Sequence, residues 1–223
     1  MEKQEKIPLL QFSELTSFYT RALDWTPFAT NTKLEYFHIN RLETHILNSP
    51  ILPHRKPLFD FLLVKKGNSI RSKGLTRYEF GESCMFFLPA FQVTQYDFMS
   101  KDTEGYFCHF DERIFHFLPK NFLNDQYPFF QFQAHPVIYL SETAMSNIEA
   151  ILERLLVVYG KEGIKKSFIA AYLLPLFEEV KNELAIQPQK VKNAAFQITE
   201  SYKNELVKHI YEKQTVTAGG SLV

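Results

Sequence analysis

From residue 34 to residue 111 the chain runs in short apolar or alternating stretches cut by Gly, Pro, Asn and Lys, a period of two that predicts consecutive β-strands. The predicted strands are 34–41, 58–65, 68–73, 83–88, 94–99 and 105–110, with turns at Lys66-Gly67-Asn68, Phe80-Gly81-Glu82 and Lys101 to Gly105. Strands this short and this evenly spaced predict a sandwich or a small barrel. After Ser141, a good N-cap residue, the period lengthens: Met145, Ile148, Leu152, Leu155 and Tyr159 step by three and four, giving a helix with one narrow apolar seam. Gly160 and Gly163 end it, and a second helix follows with Ile169, Leu173, Leu176, Val180 and Leu184 on one face and a kink expected at Pro175. Residues 185–190 read as a linker, because Pro188 disfavours helix at the residue before it. A third helix is predicted over 194–212, with Ile198, Tyr202, Leu206 and Ile210 in register, and the last seven residues, 217–223, have no periodicity.

The fold class is therefore α+β, a β domain and then helices. With 223 residues the chain has material for one main domain and an appendage. Lys and Arg number 25 and so do Asp and Glu, which leaves none of the basic excess that a dedicated nucleic-acid binder uses against phosphates. The unusual count is phenylalanine, at 22, which predicts a core or cavity walled by rings. The first six residues are mixed in charge with no apolar run behind them, and the longest apolar stretch, 168–177, is about half of what a bilayer span needs. A cytoplasmic location away from membranes is the expectation. Cys84 and Cys108 lie in apolar runs without metal or redox spacing and are expected as buried thiols.

Little chemistry is visible. His54, Lys56 and Asp60 share parity, so a histidine and a carboxylate there point to one side of an extended strand. A lysine ammonium repels a cation, however, and the favoured reading is a surface His54 with Asp60 paired to Lys56 or Arg55. His109, inside the run Tyr106-Phe107-Cys108-His109-Phe110, reads as a hydrogen-bonded core or pocket residue. No phosphate-binding glycine loop, zinc-protease motif or nucleophile elbow occurs, so no catalytic residue, metal or cofactor is predicted. The rings of Tyr127-Pro128-Phe129-Phe130-Gln131-Phe132 have no interleaved Lys or Arg to hold a nucleic-acid backbone, which favours a core or a lid.

Several of these features fall in one order. His54-Arg55, Phe59-Asp60 and Gly67, the strand end Phe86-Phe87-Leu88-Pro89, and the run from Gly105 to Phe115 resemble the cupin-type sensor domain of AraC/XylS-family bacterial transcription regulators. The stretch from Ala195 to Val216 is similar to the entry and first helix of that family's DNA-binding domain, so the resemblance spans roughly residues 34 to 216. It implies a cupin-like β-barrel (double-stranded β-helix) over residues 1–140, a helical dimerisation segment over 141–185, a linker over 186–193 and a first-helix remnant over 194–223. Two departures stand out. Lys56 takes the place of a second metal-ligating histidine and Thr94 stands near the place of the last, which opposes cupin enzyme activity. After Thr217 the family's pattern stops, so neither helix-turn-helix unit is present and no DNA-binding residue is predicted.

The resemblance thus implies a ligand-sensing and dimerising region that does not bind operator DNA alone. Its barrel cavity would be lined by His54, Asp60, Leu62, Phe107 and His109 and would take a small apolar effector or be filled by its own rings. The helical seam is open to packing on the barrel or on a second subunit; the resemblance favours the subunit, a homodimer formed through Met145, Ile148, Leu152, Leu155, Tyr159, Leu173 and Leu176. DNA would be reached only in a full-length relative or through a mixed dimer. The alternative is a stand-alone cupin enzyme or small-molecule-binding protein.

Overall fold

The structure is a computed structural model, and it describes residues 7–23, 34–42 and 50–186. Ala185 and Ile186, read as the start of a linker, are helical, and the rest of that linker and the helix over 194–212 lie outside the described residues. Among the described residues nine strands form two antiparallel sheets: β1 (Phe37–Arg41), β2 (Ile51–His54), β3 (Phe59–Lys66), β4 (Ser69–Lys73), β5 (Thr76–Phe80), β6 (Cys84–Leu88), β7 (Thr94–Met99), β8 (Glu104–Phe110) and β9 (Val137–Tyr139). One sheet has the order β1-β8-β3-β6-β9 and the other β2-β7-β4-β5. Setting β9 aside, consecutive strands alternate between sheets except at the β4–β5 hairpin. This is the strand order of a jelly roll, the double-stranded β-helix that cupins share.

The chain also forms helices α1 (Phe12–Leu23), α2 (Phe122–Gln126), α3 (Glu142–Tyr159) and α4 (Lys166–Ile186). Six strands coincide with the alternating runs in the sequence. Two of the unpredicted ones have weak signals for clear reasons. β2 contains Pro53, which is tolerated because β2 is an edge strand and needs no ladder donor on its open side. β5 is also an edge; Arg77 and Glu79 face solvent, and only Tyr78 and Phe80 turn inward. Gly105 shows why one position admits no side chain: a Cβ there would run into the Leu63 carbonyl of the neighbouring strand.

Ser141 caps α3 as predicted, accepting from the Ala144 N–H at 3.2 Å, and its own hydroxyl donates to Glu183 near the end of α4 at 2.7 Å. α4 continues through Pro175, whose ring sits on the exposed side, where solvent can serve the carbonyl that the missing N–H leaves behind. No helix among the described residues is long and apolar enough to cross a membrane.

Of the two partners open to the helical seam, the chain's own barrel covers it, not the second subunit that the resemblance favours. Ile148, Leu152, Leu155, Tyr159, Leu173 and Leu176 are buried in the chain's own core, with Met145 partly buried against them, so this seam offers no exposed face. The physical reason is the outer face of the five-stranded sheet. It presents Phe37, Phe59, Phe61, Phe87 and Phe110, and so large an apolar surface must be covered within the chain. Phe177 of α4 is the centre of that packing, with its ring centroid 5.2 Å from Phe130, 5.3 Å from Tyr127 and 5.7 Å from Phe110. The segment from Tyr127 to Phe130 is thus core rather than lid. Ion pairs of Arg41 with Glu153 and Lys65 with Glu149 fasten α3 along the sheet from half-exposed positions, where each contributes little.

Candidate functional site

Because side chains alternate along a strand, the residues between those phenylalanines point into the barrel. The registers align them in rows: His38, His109, Asp60 and Leu88 across β1, β8, β3 and β6, then Asn40, Phe107, Leu62, Phe86 and Val137 in the next row, which extends onto β9. The facing sheet contributes His54, Thr94 and Lys73 in one row and Ile51, Tyr96, Arg71 and Tyr78 in another. Lys56 enters from the connection between β2 and β3.

The interior is divided. One part is apolar and filled by Leu62, Val64, Phe80, Phe86, Leu88 and Phe107. The other holds charge. Lys56, Asp60 and Arg71 expose only 3%, 1% and 1% of their surface, so all three are removed from water. The Lys56 ammonium is ion-paired to Asp60 Oδ2, the pairing favoured from the sequence. His109 Nδ1 lies 3.5 Å from the same oxygen, and an Arg71 guanidinium nitrogen lies 3.9 Å from Oδ1. Arg71 also donates to the Tyr96 hydroxyl and stacks on that ring, its central carbon 3.8 Å from the centroid and 4.8 Å from that of Phe86. Lys73, buried beside them in sequence on β4, donates to the carbonyls of Gln131 and Ala134 at 2.8 and 2.9 Å. Among the described residues the buried charges are therefore Lys56, Arg71 and Lys73 against Asp60.

Burial alone would raise the Asp60 carboxyl, but Lys56, the His109 hydrogen bond and Arg71 outweigh it and hold the group well below the usual carboxylate range. The histidines move the other way. Burial and then Lys56 push His109 down to about 4 and His54 to about 3, against the pull of Asp60. His38 is also lowered, by burial and by His109. All three rings are neutral at neutral pH.

The structure brings most of the predicted cavity residues together. Asp60 faces His109 and Leu62 faces Phe107 across the β3–β8 pair. His54 is not on the surface; it is fully buried at the end of β2, its ring 5.9 Å from Tyr96 and nearly parallel to it. The lining is not uniformly apolar, since the half that carries Asp60, His109 and His54 is charged. Arg71, Lys73 and Tyr96 were not predicted. Arg71 and Lys73 share a parity with Ser69 that the structure turns inward, but arginine and lysine in a strand ordinarily mark the solvent face, so the sequence carried no signal for them. Among the described residues no group of three or more His, Cys, Asp or Glu side chains stands close enough to hold a metal ion.

No protein-family model matches the chain, and no curated protein does. Solved structures similar to it include the AraC-like transcriptional activator CuxR, at 12% identity over 89% of this chain and 75% of that one, with a TM-score of 0.46. ToxT from Vibrio cholerae is similar at 12% identity over 70% of this chain, with a TM-score of 0.39, and the cupin domain of Schizosaccharomyces pombe Cnp3 at 10% over 38%, with 0.32. The chain spans 61% of the ToxT chain and 63% of the Cnp3 domain. At this level of similarity the fold assignment rests on the strand order itself.

Proposed function

We propose that the chain is the effector-sensing region of a transcription regulator of the AraC/XylS type, with the charged half of the barrel interior as the effector site. One observation carries this reading: Lys56, Asp60 and Arg71 are buried together inside a barrel whose other half is filled with apolar side chains. A buried ion cluster contributes little or nothing to stability compared with hydrophobic residues of the same volume, so its presence points to recognition. The sequence resemblance supplies the regulator context, and the order of barrel followed by helical pair agrees with it.

Native mass spectrometry of the chain mixed with a low-molecular-mass cell extract tests the site. A discrete one-to-one adduct that disappears in Arg71→Met is expected, and an unchanged adduct in that variant would remove the site from the barrel. The 223-residue polypeptide is proposed not to read DNA by itself; tight, sequence-selective retardation of a duplex would overturn this. A homodimer is proposed as well, now through the outer face of the helical pair, where Val157 and Phe168 are exposed and Arg154 bonds the Tyr172 hydroxyl across the two helices. Light scattering that returns a monomer at high micromolar concentration would contradict it.

A further inference from the structure

Three of the buried polar atoms in the charged half of the barrel differ in kind and find no hydrogen-bond partner among the described residues: Arg71 Nε, His54 Nε2 and Asp60 Oδ1. Arg71 spends one terminal nitrogen on the Tyr96 hydroxyl, and its Nε–H remains a donor with a full positive charge behind it. His54 Nδ1 lies 2.9 Å from the Leu52 carbonyl, which can only accept. The hydrogen of the neutral ring is therefore on Nδ1, and Nε2 is a bare acceptor. Asp60 receives Lys56 on Oδ2, while Oδ1 has only the Arg71 cation at 3.9 Å. These residues stand together: His54 and Arg71 both pack on the Tyr96 ring, at 5.9 and 3.8 Å, and Arg71 reaches Asp60 Oδ1 at 3.9 Å.

Leaving such atoms unserved costs free energy, so the arrangement specifies its complement. The guanidinium calls for an anionic acceptor, and the imidazole nitrogen and the carboxylate oxygen call for hydrogens. A neutral polyol supplies the hydrogens but leaves the cation unanswered. A plain carboxylate answers the cation and leaves both acceptors bare. We infer, resting on the sensor reading above, that the barrel takes a small hydroxylated carboxylate, a hydroxy acid or sugar acid. Its carboxylate accepts from Arg71, and its hydroxyls donate to His54 Nε2 and Asp60 Oδ1. The apolar half of the barrel is already filled by the protein's own side chains, which keeps the ligand short and polar. This ligand class differs from the apolar effector expected from the sequence.

The test is a matched panel measured by calorimetry and thermal shift on the full chain: lactate, glycerate and gluconate; glycerol and sorbitol, which lack the carboxylate; propionate and hexanoate, which lack the hydroxyls. Saturable binding confined to the first group is expected. Arg71→Met, which retains a flexible apolar side chain over Tyr96, should weaken it by about tenfold or more, the effect of losing one hydrogen bond to a charged group. His54→Phe keeps a ring against Tyr96 and should reduce the preference for gluconate over propionate; it also serves if Arg71→Met does not fold. If glycerol, sorbitol or the plain acids bind as well as the hydroxy acids, and the two substitutions abolish that binding, the effector site stands and the ligand class is wrong. If no member of the panel binds, the three atoms are served by water, and both the ligand class and the effector site fall.

Discussion

Along β3, Phe59, Phe61 and Leu63 turn toward α3 and α4, while Asp60, Leu62 and Val64 turn into the barrel. The same alternation runs through β8, where Tyr106, Cys108 and Phe110 face the helices and Phe107 and His109 the interior. Two faces built from neighbouring residues thus have different physics. The outer face is held by non-directional contact among rings, and its contribution scales with apolar area. The charged half of the inner face is held by ion pairs and hydrogen bonds, which contribute fully only when every partner is present. A sheet can therefore place the cost of a polar site one residue away from the packing that offsets it.

Acid should separate the faces most strongly. Burial holds His38, His54 and His109 below their ordinary value of 6.5, so between the two values the unfolded chain binds more protons and stability rises with pH. That stability is lost as pH falls below 6.5, and the loss is complete for His109 near 4 and for His54 near 3. Asp60, whose folded value is depressed, adds a loss of the same sign once pH drops beneath its ordinary 3.8. At pH 5 neutral His54 and neutral His109 each cost about 2 kcal/mol relative to pH 7. Urea midpoints at pH 7, 6 and 5 should fall steadily, and His54→Phe should flatten the slope. A midpoint independent of pH over this range would mean that the rings are not buried and neutral.

Single substitutions rank next. Phe177→Ala removes the ring at the centre of the outer-face packing and should cost about 3–5 kcal/mol in urea denaturation. Asp60→Leu leaves Lys56 and Arg71 buried without their carboxylate and should cost about 3 kcal/mol or more. The comparison sharpens when the whole charge set is removed. Lys56→Met with Asp60→Leu and Arg71→Met should restore stability close to the starting value, because apolar replacements of similar volume are neutral or favourable where an ion cluster was buried. No combination is expected to do this for Phe177→Ala without filling its volume. If the triple substitution proves as unstable as Asp60→Leu alone, the cluster holds the fold together rather than serving recognition.

How much of this was legible in the sequence follows the same division. The outer face could be read, because period two in the strands and period three and a half in α3 are both apolar signals. The seam of α3 announced that something apolar must be met, but not whether it was a second subunit or the chain's own sheet. That depends on which parity of β3 and β8 faces outward, and a strand apolar on both faces does not declare it. The inner face was legible only in pairs close in sequence: Lys56 with Asp60 is an i,i+4 pair, whereas Arg71 reaches Tyr96 and Asp60 through the closure of the barrel. α1 and α2 carried signals too weak to predict, and β2 was masked by its own proline.

The smallest expected effect lies where the two faces meet. Tyr159, at the end of α3, is packed edge-on to Phe37 of the outer face at 5.8 Å, yet its hydroxyl lies 2.9 Å from Nδ1 of His38, which belongs to the inner row. The amide nitrogen of Asn40 stands 3.2 Å from His38 Nε2 and can only donate, so Nε2 accepts and Nδ1 carries the hydrogen that Tyr159 receives. Tyr159→Phe keeps the ring contact and removes this acceptor, and should cost about 1 kcal/mol, the net value of one hydrogen bond. Because β1 is an edge strand, this contact can pass around the sheet rather than through it. Nitrogen chemical shifts of His38 provide the check: the Nδ1–H form is expected in the parent, with a shift in tautomer balance in Tyr159→Phe. A balance unaltered by the substitution would mean that the inner row is fixed from within the barrel alone and that the helices do not feel it through Tyr159.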